Sequence, residues 1–332
     1  MENLGPGRLL KIMGMFMHSK ILLVAHKIGV FEAIGNEKKN LDEVSFGLKI
    51  DRRHCGILLN SLVAIGVLIK DNDALYCNCN DVKEFLLKDS ANYFGSLLLF
   101  QENEWDSWNF LFESLMYQRP MGIEINEAMS LDELEIYIQA MHETGKFPSS
   151  IIPSLIDLKN CKSLLDLGCG SGIYSMGFLR RNPHLEINLL DYPDVIKLTR
   201  KYIPNEFRYS NINYIEANYL NYEFDRKYDC VFCSHNLHEH SDEINQSLAE
   251  KMYDSINNGG MVVLHDYITD NNEIEPLFPV VFSVNMIIQT RGGKCYSYTE
   301  ISQWLQKAGF INVRLVKLGI DFPSSIIIAS KR

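Results

Sequence analysis

The run Asp166-Leu167-Gly168-Cys169-Gly170-Ser171-Gly172 constrains this chain more than any other feature. It follows the apolar stretch Ser163-Leu164-Leu165 and leads into Tyr174-Ser175-Met176-Gly177-Phe178-Leu179, so it joins a predicted strand to a predicted helix. Glycines at alternate positions there allow a tight turn and a close backbone approach to a ligand, and the helix start offers free amides to a negative group. Asp166, a carboxylate at a strand end, is placed to meet a cation. Asp191 closes the next apolar run, about 25 residues on, where an acidic side chain can take both hydroxyls of a ribose. The competing role for Asp191 is a helix N-cap, but Asp194, after Tyr192-Pro193, is the expected cap. The loop alone would also suit a dehydrogenase.

From Lys162 onward, short β-rich runs, Glu186–Asp191, Ile212–Glu216, Tyr228–Cys233 and Gly260–Ile268 among them, mostly alternate with helix-period segments. That alternation predicts an α/β fold with a mostly parallel, doubly wound sheet and ligands at the strand carboxyl ends. Leu9 to Leu98 instead carries three and four spacing of apolar residues with a short hairpin in Leu68–Asn78, which predicts a mostly α, winged-helix-like unit. A chain of 332 residues is long for one core and suits two. The expected organisation is a winged-helix-like domain over 1–98, a helical linker over 99–155 contributing to a ligand pocket, and a Rossmann-like catalytic domain over 156–332.

Composition excludes several functions. Lys and Arg total 32 against 42 Asp and Glu, a formal charge of -10, which opposes a grip on phosphate backbones; no nucleic-acid partner is expected. The helix beginning at Arg52-Arg53 then runs almost wholly apolar, which suits packing or dimerisation better than groove reading. No uncharged apolar stretch of about 18 residues is apparent, so no membrane is expected. The eight cysteines are scattered and read as reduced thiols, and a cytoplasmic location is expected.

The segment Asp166–Gly172 followed by Leu190-Asp191-Tyr192-Pro193 resembles the S-adenosylmethionine (SAM)-dependent methyltransferases, and Leu237-His238-Glu239-His240-Ser241-Asp242-Glu243 looks like the L-H-D-W-x-D-E segment of their small-molecule O-methyltransferases. That family includes plant caffeic acid O-methyltransferase and bacterial polyketide-tailoring enzymes. The resemblance extends over nearly the whole chain, through Ala140-Met141, Gly259-Gly260 and Arg291-Gly292-Gly293. It implies a Rossmann-like catalytic domain behind an N-terminal dimerisation domain, a homodimer, SAM as cofactor with S-adenosylhomocysteine as product, and methyl transfer to a hydroxyl of a small aromatic or polyketide-type secondary metabolite.

The resemblance puts the general base at His238 and its orienting carboxylate at Asp266. An imidazole within reach of a phenol can take its proton as the methyl group is attacked. The cofactor would be held by Asp166, Gly168, Gly170, Gly172, Asp191, Tyr192, Asn218, Tyr219 and Ser234, and the acceptor by Met141, Asn285 and Met286, with Trp105 and Trp108 as further candidates. The chain departs from the pattern in three places: Asn218 where the family often has Asp, His240 where it has Trp, and Lys294-Cys295 where it has a second Glu. The crowding of His235, His238, His240 and His265 with Glu239 and Asp266 raises a metal reading. The absence of HExxH spacing argues against it, and no metal is expected. Carbon or nitrogen methylation, or SAM binding without methyl transfer, are the alternative readings.

Overall fold

The computed structural model describes residues 5–122, 129–207, 210–319 and 322–332. They form two compact units, Met1–Asp106 and Ser107–Arg332.

The first unit runs α1 (Pro6–Lys27), α2 (Val30–Ile34), α3 (Leu41–Leu48), α4 (Arg52–Ala64), the antiparallel pair β1 (Leu68–Lys70) and β2 (Tyr76–Asn78), α5 (Asn80–Phe85) and α6 (Gly95–Glu104). Asn40 and Glu43 close a capping box that starts α3. Asp71 takes the amides of Asp73 and Leu75 and so shapes the hairpin turn. The core gathers Phe31, Ile34, Leu59, Leu62 and Tyr76. Most of α1 is left out of it: Leu10, Met13 and Phe16 are 64%, 68% and 60% exposed. By length and composition alone this helix would be long and apolar enough to cross a membrane, although it holds no uncharged stretch of about 18 residues. Arg8, Lys11, Lys20 and Lys27 divide it into short apolar runs.

The second unit runs α7 (Leu111–Tyr117), α8 (Leu131–Ile151), β3 (Ser163–Leu167), α9 (Ile173–Arg181), β4 (Glu186–Asp191), α10 (Pro193–Tyr202), β5 (Ile212–Glu216), β6 (Tyr228–Ser234), α11 (Asp242–Asp254), β7 (Ile256–Tyr267), α12 (Leu277–Gln289), α13 (Tyr298–Ala308), β8 (Ile311–Lys317) and β9 (Ser324–Ser330). The strands form one sheet in the order β5-β4-β3-β6-β7-β9-β8, parallel except where β9 pairs with β7 and β8. Alternate residues feed opposite faces. Leu165, Leu167 and Val231 pack with Leu248, Met252 and Trp304 from α11 and α13, while Leu164, Cys230 and Phe232 pack with Met176 and Phe178 from α9. This two-sided cover is what the near-continuous apolar strands demand.

The strand order reverses at β3, with β4 on one side and β6 on the other. The crevice beyond the carboxyl ends of these strands is where a doubly wound sheet holds a ligand. Parallel pairing brings the loop after β3, the end of β4, the turn after β6 and the end of β7 to that same edge.

Candidate functional site

The glycine loop is fastened to the neighbouring strand, because Gly168 N and Cys169 N both donate to Leu190 O. Gly168, Gly170 and Gly172 all have positive φ, of 71°, 51° and 74°. At Gly168 a side chain is also excluded by space, since a Cβ would run into the Asn236 amide. That amide donates in turn to Leu167 O at 3.0 Å and ties the turn after β6 to the end of β3.

Two buried carboxylates flank the loop. Asp191 Oδ2 accepts from Gly170 N and Oδ1 from Tyr192 N, both at 2.8 Å. Burial pushes its pKa up to about 6, against the pull of those two amides. Asp166 Oδ2 accepts from Ser175 Oγ at 2.6 Å. Burial, opposed by Ser175 and aided by the charge of Asp191, pushes its pKa up to about 7. Among the described residues no lysine or arginine pairs with either. Buried carboxylates held only by neutral donors suit a ligand that brings positive charge and hydroxyl donors.

The expected cap at Asp194 is not formed. The helix α10 begins at Pro193, whose fixed φ suits the first helical position, so Tyr192 is the N-cap residue, Asp194 falls in the first turn, and Tyr192 N goes to Asp191.

Around the loop stand residues that sequence reasoning missed. His142 on α8 meets Ser171 Oγ through Nδ1 at 3.1 Å and packs on the ring of Tyr202; burial pushes its pKa down to about 4. Thr199 Oγ1 donates to Gly170 O at 2.6 Å. Only a fold that brings α8 and α10 to the loop joins these residues, so no local motif marks them.

On the far side of β4, Asn218 Oδ1 accepts from Leu220 N at 2.9 Å, which leaves it one further lone pair. Tyr219 Oη lies 2.6 Å from His240 Nε2, and the two rings meet edge to face. His240, at the position of the family's Trp, is kept neutral by burial, with its pKa near 4. Ser234 Oγ lies 2.8 Å from His265 Nδ1, whose Nε2 meets Ser324 Oγ at 2.9 Å, so both nitrogens of this buried ring are engaged within the sheet.

The second cluster centres on Asp266. His238 lies in the 3₁₀ turn Leu237–Glu239 that follows β6, and its Nδ1 is 2.6 Å from Asp266 Oδ1. The same carboxylate accepts from Leu237 N and His238 N on Oδ2 and from Tyr267 N on Oδ1. A carboxylate so bonded is ionised, which assigns the proton of the His238 ring to Nδ1 and leaves Nε2 as the acceptor. Burial alone would lower the His238 pKa, but the charge and hydrogen bond of Asp266, with a contribution from Glu239, turn the net shift upward. Asp266, despite its own burial, is held far below the usual carboxylate range by His238 and His235.

Phe282 of α12 presents its edge to the His238 ring at 5.2 Å. Glu239, unforeseen as a titrating group, is pushed up to about 7 by burial. The Cys295 thiol, pushed up to about 12 mainly by burial, stays neutral and offers no second carboxylate.

The acceptor candidates divide between elements. Asn285 and Met286 lie on α12, the helix that packs on the His238 turn, and Asn285 Oδ1 is buried with no hydrogen-bond partner. Met286 is buried in the protein. Met141 lies on α8, next in sequence to His142. Trp108 is in the 3₁₀ turn Ser107–Phe110 that packs on α12, whereas Trp105 belongs to the first unit, packed on its core beneath Lys20.

The family model for the O-methyltransferase domain matches residues 103–311. The chain is 24% identical, over 331 residues that span 94% of it and 92% of its relative, to 3-hydroxy-5-methyl-1-naphthoate 3-O-methyltransferase of Streptomyces sahachiroi. It is 25% identical to L-tyrosine C(3)-methyltransferase of Streptomyces lavendulae, spanning 93% of this chain and 88% of that one. The crystal structure of human N-acetylserotonin methyltransferase in complex with SAM shares the fold at a TM-score of 0.88 and 22% identity, covering 100% of this chain and 99% of that one.

Proposed function

The chain belongs to the family of the O-methyltransferase domain, and on that premise we propose that it moves the methyl group of SAM to a hydroxyl of a small aromatic or polyketide-type molecule, with His238 as the general base. The observation that carries this reading is the buried His238–Asp266 pair, 2.6 Å apart, one strand away from the glycine loop.

SAM contributes a methyl group made electrophilic by a positively charged sulfur, and S-adenosylhomocysteine is its product. Asp191 would take the ribose hydroxyls, and Asp166 and the loop amides the charged amino-acid end. Asn218, Tyr219 and His240 would form the adenine side, and Tyr192 and Ser234 would border the site. The raised carboxylates of Asp166 and Asp191 support this fit, because a cation and hydroxyl donors are what they lack. His238 Nε2 takes the proton of the acceptor hydroxyl, and Asp266 holds the ring in the tautomer that leaves Nε2 free and steadies the imidazolium that results. Asn285 Oδ1, buried and unpartnered, would accept from a donor on the acceptor, with Met141, Met286 and Trp108 as apolar walls.

His238→Ala is expected to lower kcat by about 10²- to 10⁴-fold with the SAM dissociation constant unchanged. Near-full activity with wild-type binding would overturn the base. A second reading, methylation at ring carbon, is favoured by the likeness to the L-tyrosine C(3)-methyltransferase; locating the new methyl group in the product by NMR separates the two.

The exposed apolar face of α1 supports a homodimer through the first unit, tested by light scattering on Met13→Glu, which should be monomeric if that face is the contact. Eight free thiols are consistent with a reducing, cytoplasmic setting.

A further inference from the structure

The geometry points to a site for a divalent transition-metal ion formed by His235, His238 and Asp266, whose occupation switches off methyl transfer. The inhibitory consequence rests on His238 being the base; the binding itself does not.

One ligand atom from each of the three residues lies within 4.8 Å of the other two. His235 stands beside the His238–Asp266 pair and helps hold Asp266 ionised, yet its ring makes no hydrogen bond to the pair. Its Nδ1 is buried, has no hydrogen-bond partner, and stands 3.6 Å from Asp266 Oδ1, just beyond hydrogen-bond reach. The residue holds a left-handed backbone, with φ 56°, a conformation unusual outside glycine. Its ring is packed between His265 and Tyr267, at 4.4 and 4.6 Å between centroids, and so is held in place facing the carboxylate. An unpaired, buried imidazole nitrogen aimed at a carboxylate that a second imidazole already contacts is a donor set without an ion.

The chemistry of the set selects the ion. Two imidazoles and one carboxylate suit zinc or ferrous iron and are poor for calcium or magnesium, which prefer oxygen. The neighbouring histidines cannot complete it: His265 has both nitrogens engaged by Ser234 and Ser324, and His240 Nε2 is engaged by Tyr219. Three protein ligands with an open fourth position result. The His235 side chain is 26% exposed, which gives the ion a way in.

The ion would take the place of the proton between His238 Nδ1 and Asp266 Oδ1, with the two atoms moving apart from 2.6 Å to accommodate it. With Nδ1 bound to metal, the single ring proton moves from Nδ1 to Nε2. The nitrogen that receives the acceptor's proton is then blocked, and no net proton is released. Asp266 at the same time spends its charge on the ion.

The test compares the wild-type enzyme, stripped of metal by chelation, with His235→Asn. Zinc titrated calorimetrically into the wild type should bind at one ion per chain through this site and lower the turnover rate about tenfold or more, with chelator restoring it. His235→Asn, measured against its own zinc-free turnover, should lose at least about tenfold in both zinc affinity and zinc sensitivity. Magnesium should do nothing in either protein. Cobalt(II) bound to the wild type should show no thiolate charge-transfer band, which separates this site from the eight cysteines.

Equal zinc affinity in wild type and His235→Asn, or a thiolate band, would overturn the site. Binding that depends on His235 but leaves turnover intact would overturn the inhibition. If His238→Ala stays active, the base assignment fails, while the calorimetric arm still decides whether the site exists.

Discussion

Asp191 and Asp266 both lie at the carboxyl end of a strand on the same edge of the sheet, and both are buried, yet their surroundings push them in opposite directions. Asp191 and its neighbour Asp166 are held by neutral donors, two amides and one hydroxyl, and burial raises them to about 6 and about 7. Asp266 has three amides and the imidazoles of His238 and His235 around it and is held far below the usual range. The difference separates the two halves of the site. The first pair is incomplete without a ligand and so can spend its charge on binding. The second is completed by the protein, so its charge orients the base before any ligand arrives.

Removing the first kind of carboxylate should damage binding alone. Asp191→Ala is expected to raise the SAM dissociation constant by about 10- to 100-fold, the equivalent of losing hydrogen bonds to a charged group at about 1.5–3 kcal/mol. Turnover at saturating SAM should change little, as read by calorimetry beside steady-state kinetics. A large fall in turnover with unchanged affinity would merge the two halves.

The raised pKa values predict a pH dependence whose sign follows from which form binds. A cation and hydroxyl donors prefer the ionised carboxylates. Affinity for SAM should therefore be flat above about pH 8, decline as Asp166 and then Asp191 take up protons between about 7 and 6, and fall by about tenfold per unit below that for each group protonated. Affinity that stays level down to pH 5 would mean that the two carboxylates ionise in their ordinary range.

A smaller effect is expected at the adenine side. Tyr219→Phe removes the hydroxyl that holds His240 and should weaken SAM binding by about two- to tenfold, a cost of about 0.5–1.5 kcal/mol, without altering the pH profile.

These contrasts were legible in the sequence to unequal degrees. The glycine loop and Asp191 sit on a strand–turn–helix unit whose spacing fixes their neighbourhood, so local pattern is enough to find them. The pairing of His238 with Asp266 depends on β6 and β7 being adjacent, and it emerges from family resemblance. His142 on Ser171, Tyr219 on His240, and the left-handed His235 facing Asp266 are set by packing between elements far apart in the chain, and nothing local announces them. The cap at Asp194 failed for a local reason: proline at the first helical position moved the helix start and gave the Tyr192 amide to Asp191.

The separation of binding from chemistry is tested most directly by Asp266→Asn, in one single-turnover experiment that also titrates SAM. The carboxamide keeps the size of the side chain but cannot hold the His238 ring with a negative charge. The expected result is a SAM dissociation constant within about twofold of wild type and a methyl-transfer step slower by about 10²- to 10⁴-fold. A rate close to wild type, or a loss that lies entirely in SAM binding, would contradict the account.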